Sequence, residues 1–141
     1  MRKAVTGFAT LAAFAAGLSM PALAENSDKN AEPSKGEREL AKLLEGYEAG
    51  EPVNCLNRSQ RDRLRVINDT ALVFRDGRTI YVNRTTAPQF IDDFDVPVFR
   101  PFSSNLCRLD RVEFVDRFGG FAGPSIGLKE FIPYTKIAED N

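Results

Sequence analysis

Four groups of residues in this chain have the types and spacing to do chemistry. Cys55 and Cys107 are its two thiols. Gly123-Pro124-Ser125-Ile126-Gly127 has the Gly-x-Ser-x-Gly pattern that presents a hydrolase nucleophile. Asp92, Asp93 and Asp95 crowd three carboxylates together, as a hard cation or a pair of acid–base groups would require. Arg61, Arg63 and Arg65 alternate along a basic run with Arg58, which suits an anionic polymer.

Most of these readings weaken on physical grounds. The chain has no histidine, so the commonest general base and the commonest metal ligand are both missing. A serine nucleophile needs such a base, and it needs a strand–turn–helix setting in a large mixed sheet. Residues 123–127 therefore read as a loop before a final strand. The spacing of Asp92, Asp93 and Asp95 fits no cation-binding loop, and no glycine among them supplies a tight turn; they read as a solvated loop. Carboxylates for sugar cleavage must face each other across a cleft, which close neighbours in sequence seldom do. No catalytic residue, metal site or cofactor follows from these residues. If 61–65 is extended, Arg61, Arg63 and Arg65 share one face and Leu64 and Val66 the other. That face could hold a cell-envelope carbohydrate or anionic polymer, while the bland alternative is a strand edge guarded by charge against aggregation.

The cysteines take their meaning from the N-terminus. Arg2 and Lys3 precede an apolar, small-residue stretch over 4–18, then Pro21 and the Ala22-Leu23-Ala24 cleavage pattern. Residues 1–24 read as a Sec-type secretory signal peptide cut after Ala24. The apolar run is shorter than the roughly 20 residues of a membrane span, so no span is expected after cleavage. The mature chain enters an oxidising space, periplasmic or extracellular, where two cysteines pair. Redox dithiols sit as Cys-x-x-Cys, whereas Cys55 and Cys107 are far apart in sequence, so the bond reads as structural. Closing so long a loop contributes about 4 kcal/mol on chain-entropy reasoning. Loss of Arg2 and Lys3 takes the net charge from −1 to −3, which gives no ground for nucleic-acid binding.

The elements that position these residues follow the leader. Residues 25–35 read as a flexible linker and 36–50 as a helix. Ser34 and Glu37 have capping-box spacing, and Leu40, Leu43, Leu44 and Tyr47 form one apolar stripe. Residues 51–137 read as a disulfide-linked β domain centred on a hairpin over 64–84. Its turn is placed at Asp76-Gly77, with Arg75 opposite Arg78 and Val73 opposite Ile80. One face then carries Ala71, Val73, Ile80 and Val82, the other Leu72, Phe74, Tyr81 and Thr79. Both faces are apolar, so both must be covered. Further strands are expected near 53–57, 63–67, 95–100 (an edge, because of Pro97), 110–116 and 128–134. About six short strands and one packed N-terminal amphipathic helix predict a mainly β fold, a small antiparallel barrel or sandwich.

Leu40-Ala41-Lys42-Leu43-Leu44-Glu45-Gly46, Ala49-Gly50-Glu51-Pro52-Val53-Asn54-Cys55-Leu56, Tyr81-Val82-Asn83-Arg84, Leu106-Cys107-Arg108-Leu109-Asp110 and Phe131-Ile132-Pro133-Tyr134 together resemble a family of small secreted proteins of alphaproteobacteria, sphingomonads especially, with no assigned function. The likeness runs over about residues 38 to 135. A broader family similar to it carries two further cysteines, near Pro88 and Ile126; this chain lacks both, as loss of a whole second disulfide would leave it. The resemblance implies a Gram-negative periplasmic protein and brings no catalytic residues with it. The function expected first is non-enzymatic, structural or partner-binding; second comes binding of envelope carbohydrate or anionic polymer through Arg61, Arg63 and Arg65; third, a hydrolase using carboxylates such as Asp92 and Asp95.

Overall fold

The computed structural model describes residues 32–138. The leader, its cleavage after Ala24 and most of the linker lie outside the described residues. Helix α1 spans Lys35–Leu43. The strands that follow are β1 (Tyr47–Ala49), β2 (Cys55–Leu56), β3 (Leu64–Ile67), β4 (Ala71–Asp76), β5 (Thr79–Asn83), β6 (Val96–Arg100), β7 (Leu106–Cys107), β8 (Arg111–Val115), β9 (Ala122–Gly127) and β10 (Ile132–Lys136). All pairings are antiparallel.

The two-sided hairpin β4–β5 is the centre of a five-stranded sheet in the order β1-β10-β5-β4-β3. Side chains alternate along β4, and the two faces feed separate cores. Ala71 and Val73, with Ile80 and Val82 from β5, meet Leu40 of the helix, with Leu43, Leu44, Tyr47 and Tyr134 at the margin. Leu72 and Phe74 meet Val112, Phe114 and Ile126 of a three-stranded sheet ordered β6-β8-β9. Phe74 packs edge-on to Phe131 at 5.8 Å and tilted to Phe99 at 5.9 Å. The fold is mainly β, in three layers: helix, five-stranded sheet, three-stranded sheet. At about 1.5–3 kcal/mol for each large apolar side chain withdrawn from water, the hairpin is the main source of burial.

The architecture differs from the expectation in count and closure. Ten strands replace six, in three separate sheets, and no closed barrel is present among the described residues. Of the strands not expected, β1 and β7 are three and two residues long, too short to leave a period in the sequence. Residues 123–127, expected to be a loop, belong to β9, an edge strand where Gly123 and Pro124 are tolerated. The helix ends at Leu43, well short of residue 50. Tyr47 keeps its place in the apolar stripe but arrives there on β1, whose backbone is claimed by β10. Pro97 sits on the edge strand β6 as expected. Pro133 lies in the inner strand β10, with its carbonyl accepting from Gly50 N at 2.7 Å on the side where β1 has already ended.

The hairpin register is displaced by one residue at the turn. Asp76 pairs Thr79, Arg75 pairs Ile80 and Phe74 pairs Tyr81, so the loop is Gly77-Arg78. Gly77 has φ 55°, and a turn with glycine first needs positive φ only there; the expected loop would have forced it on Asp76 as well. The displacement preserves which residues share a face, and it separates Arg75 from Arg78. Arg75 instead donates to Tyr47 Oη at 2.9 Å.

Cys55 and Cys107 are bonded, directly opposite one another in the two-stranded β2–β7 ribbon, with Cα atoms 3.9 Å apart. The ribbon adds Leu56 and Leu106 to the core that the two sheets share. The helix start is fixed by Ser34 Oγ, which accepts from Glu37 N at 3.1 Å. In the first turn, Gly36 packs so closely on the β3–β4 loop that an added Cβ would meet Thr70 Oγ1 at 2.0 Å and Asn68 O at 2.5 Å. Gly36→Ala is therefore expected to lower stability by about 1–3 kcal/mol through overpacking despite alanine's better helix propensity; thermal melts of the two proteins compare them directly.

Candidate functional site

The structure divides the basic run. Arg61 ends a 3-10 turn at Ser59–Arg61 and is half-buried. Residues 62 and 63 bend before β3 begins at Leu64, so 61–65 is not one extended face. Arg63 and Arg65 do fall together, on the helix side of the sheet, because Arg65 pairs Val73 and Arg75 N bonds Arg63 O at 2.9 Å. With Arg75 they edge a groove of about 210 Å³ floored by Leu43, Val73 and Ile80. Arg65 is paired with Glu39 of α1 at 2.6 Å.

Two carboxylates of the acidic cluster have structural partners. Asp93 accepts from Asn68 Nδ2 at 2.9 Å while its amide donates to Asn68 Oδ1 at 2.6 Å. Asp92 accepts from the Phe94 amide at 2.8 Å. Among the described residues no group of three or more His, Cys, Asp or Glu is placed to hold a metal ion. Ser125 lies on β9 and accepts from Arg111 Nε at 2.9 Å, so it faces a cation rather than a base. The buried carboxylate of Asp110 accepts from the amides of Cys107 at 2.7 Å and Phe102 at 3.2 Å, fastening the loop beside the disulfide.

A surface that the sequence analysis did not single out stands at one end of the three-stranded sheet. Val96 of β6 and Ala122 of β9 both pair Val115 of β8. Phe94, just before β6, therefore lies at the same end as Phe118 and Phe121 of the β8–β9 hairpin. These three rings are 72, 92 and 78 % exposed. Phe90, half-exposed, lines a cleft of about 410 Å³ with Phe94, Asp92 and Asp95. The hairpin tip is braced. Asp116 Oδ1 accepts from the amides of Phe118 and Gly119, Asp116 N donates to Phe121 O at 2.9 Å, and Gly120 N donates to Asp116 O at 3.0 Å. The Phe121 ring lies so close over Gly119 that a Cβ there would meet it at 2.6 Å. Asp92 and Asp95 share the cleft with Phe90 and Phe94, and Asp116 and Arg117 belong to the hairpin tip that carries Phe118. A sequence signal was available: two phenylalanines flanking Gly119-Gly120 in a turn cannot both be buried.

On the far layer, α1 is tied to the end of β5. Arg84 Nη1 and Nη2 donate to the two carboxylate oxygens of Glu37, the second at 2.9 Å. These hydrogen bonds, against a smaller opposing effect of burial, hold the Glu37 carboxyl below its usual 4.5. They also raise the Arg84 guanidinium above its ordinary value.

No protein-family model matches the chain, and neither a curated protein nor a solved structure matches it.

Because the folded Glu37 carboxyl is the stronger acid, its pairing stabilises the fold above pH 4.5 and is lost as pH falls through the lowered folded value. Both side chains are over a third exposed, so the effect is at most about 1 kcal/mol. Glu37→Gln is expected to lower Tm slightly at pH 7, with the gap from the parent protein narrowing as pH falls below 4.5; a gap that stays constant as the solution is acidified would contradict this role.

Proposed function

We propose that this chain is a non-enzymatic periplasmic binding domain, exported by its leader at 1–24, which docks a protein partner through the phenylalanine-bearing end of its smaller sheet. The observation that carries the reading is the exposure of Phe94, Phe118 and Phe121 at one end, on a hairpin braced by its own hydrogen bonds. With about 200 Å² for each ring, these three and Phe90 hold on the order of 500–600 Å² of apolar surface out in water. That matches the largest patches seen on monomers, which are often functional. It is also the larger part of the roughly 800 Å² one partner contributes to a stable interface. Apolar rings inside a polar margin have the anatomy of an interface core and rim. The carboxylates of Asp92, Asp95 and Asp116 favour a partner surface that is apolar at its centre and basic at its margin.

A disulfide between Cys55 and Cys107 suits an oxidising compartment. Among the described residues no helix is long and apolar enough to cross a membrane. The resemblance to small secreted proteins of alphaproteobacteria points to the same compartment. Polymer binding through the arginines is the weaker reading, because Arg61 stands apart and Arg65 and Arg75 are engaged with Glu39 and Tyr47.

The test is site-specific photocrosslinking in intact cells from position 117 on the hairpin tip, with position 58, far from the rings in sequence, as control. A discrete protein adduct is expected from 117 and not from 58. The double variant Phe118→Ser/Phe121→Ser should lose the adduct while keeping the parent Tm within about 2 °C, since exposed positions contribute little to stability. An adduct that survives the double variant, an adduct with the mass of two copies, or crosslinking to lipid alone would overturn the proposal.

A further inference from the structure

A second cleft, at the end of β5 and away from the phenylalanine end, has a different chemistry. Its volume is about 440 Å³, within the range of sites that take small organic ligands. The buried Val82 and Leu128 form its floor, the half-buried Ile132 lines it, and Arg84, Arg108 and Lys129 stand around it. Arg84 is paired with Glu37, and Arg108 with Glu130 at 3.2 Å. A guanidinium has five N–H groups, so both keep donors to spare. The Lys129 side chain has neither a hydrogen bond nor an ion pair among the described residues. Three cations against two carboxylates leave the rim positive.

The decisive residue is Leu109, which lines the same cleft. Its φ is 74°, in the left-handed region that favours glycine, and its side chain is 71 % exposed. A leucine held both strained and in water is unfavourable twice over, and such strain persists only where its surroundings over-determine it. They do so here. Leu109 N donates to Leu128 O at 3.0 Å, Arg108 N to Asn54 O at 2.7 Å and Asp110 N to Cys107 O at 3.1 Å. The disulfide and the buried Asp110 carboxylate fix the same turn from either side. The fold therefore spends stability to hold one apolar side chain at the lip of an apolar cleft ringed by positive charge.

We propose that this cleft binds an aliphatic carboxylate, a medium-chain fatty acid in its ionised form. The chain lies against the half-buried Ile132 and under Leu109, where it removes apolar surface from water. The carboxylate is met by Lys129 and by unspent N–H groups of Arg84 and Arg108. This site is independent of the partner surface proposed above.

Isothermal titration of the purified, oxidised protein with dodecanoate below its micelle concentration tests it, with dodecanol and dodecyltrimethylammonium as controls. Dodecanoate should saturate one site, dodecanol should bind at least tenfold more weakly, and the ammonium amphiphile should not bind measurably. Lys129→Gln should weaken dodecanoate about fivefold. Leu109→Gly should weaken it about tenfold while raising Tm, because the strain is released. Absence of a saturable dodecanoate signal, equal binding of the cationic amphiphile, or unchanged affinity in both variants would overturn the proposal.

Discussion

One hairpin that is apolar on both faces governs this molecule. A strand pair with a single greasy side can rest on one partner and show its other side to water. Ala71, Leu72, Val73 and Phe74 are consecutive and all buried, so β4 leaves no face for solvent. Two different covers are required. One is α1, whose short apolar stripe matches the small residues Ala71 and Val73. The other is the β6-β8-β9 sheet, whose Val112, Phe114 and Ile126 enclose Leu72 and Phe74.

That requirement sets where binding surfaces can arise. The interior is committed to two cores, so exposed chemistry is left to the margins of the layers. The β8–β9 hairpin runs past the end of its own sheet and carries Phe118 and Phe121 beyond the core. On the opposite layer the helix is only nine residues long and does not cover the whole sheet. The groove beside Arg63, Arg65 and Arg75 and the cleft beside Arg84, Arg108 and Lys129 lie at the margins of the sheet. Long charged side chains suit such margins, because their stems lie on apolar surface while their heads stay wet.

Where one residue type or one period decided the structure, the sequence was readable. The alternation in Val112 and Phe114 located β8, Pro97 marked an edge, Ser34 capped the helix and Cys55 found Cys107. The two faces of the hairpin were legible even though its register was not, since a slip at the turn that moves partners by two leaves the faces unchanged. The rest depended on pairing across long stretches of chain. Tyr47 fits a helical period and a strand equally well, and only β10 chooses between them. Gly123 and Pro124 read as a loop because nothing local announces that β8 will accept them as an edge. Arg61 left the expected strip because the 3-10 turn at Ser59–Arg61 interrupts it. The positive φ of Leu109 has no counterpart in its residue type; it comes from the disulfide, the Asp110 carboxylate and the bond to Leu128, which meet at that turn alone.

Native-state hydrogen exchange read residue by residue tests the two-faced hairpin as the organising element. The ladder amides of β4 and β5, shielded by helix on one side and sheet on the other, are expected to exchange slowest in the molecule and through global unfolding alone. Amides of β6, at the edge of the smaller sheet, should exchange far faster. If the slowest amides instead lie in β6, β8 and β9, or if β4 and β5 exchange at the rate of β6, the hairpin is not what the rest of the structure depends on.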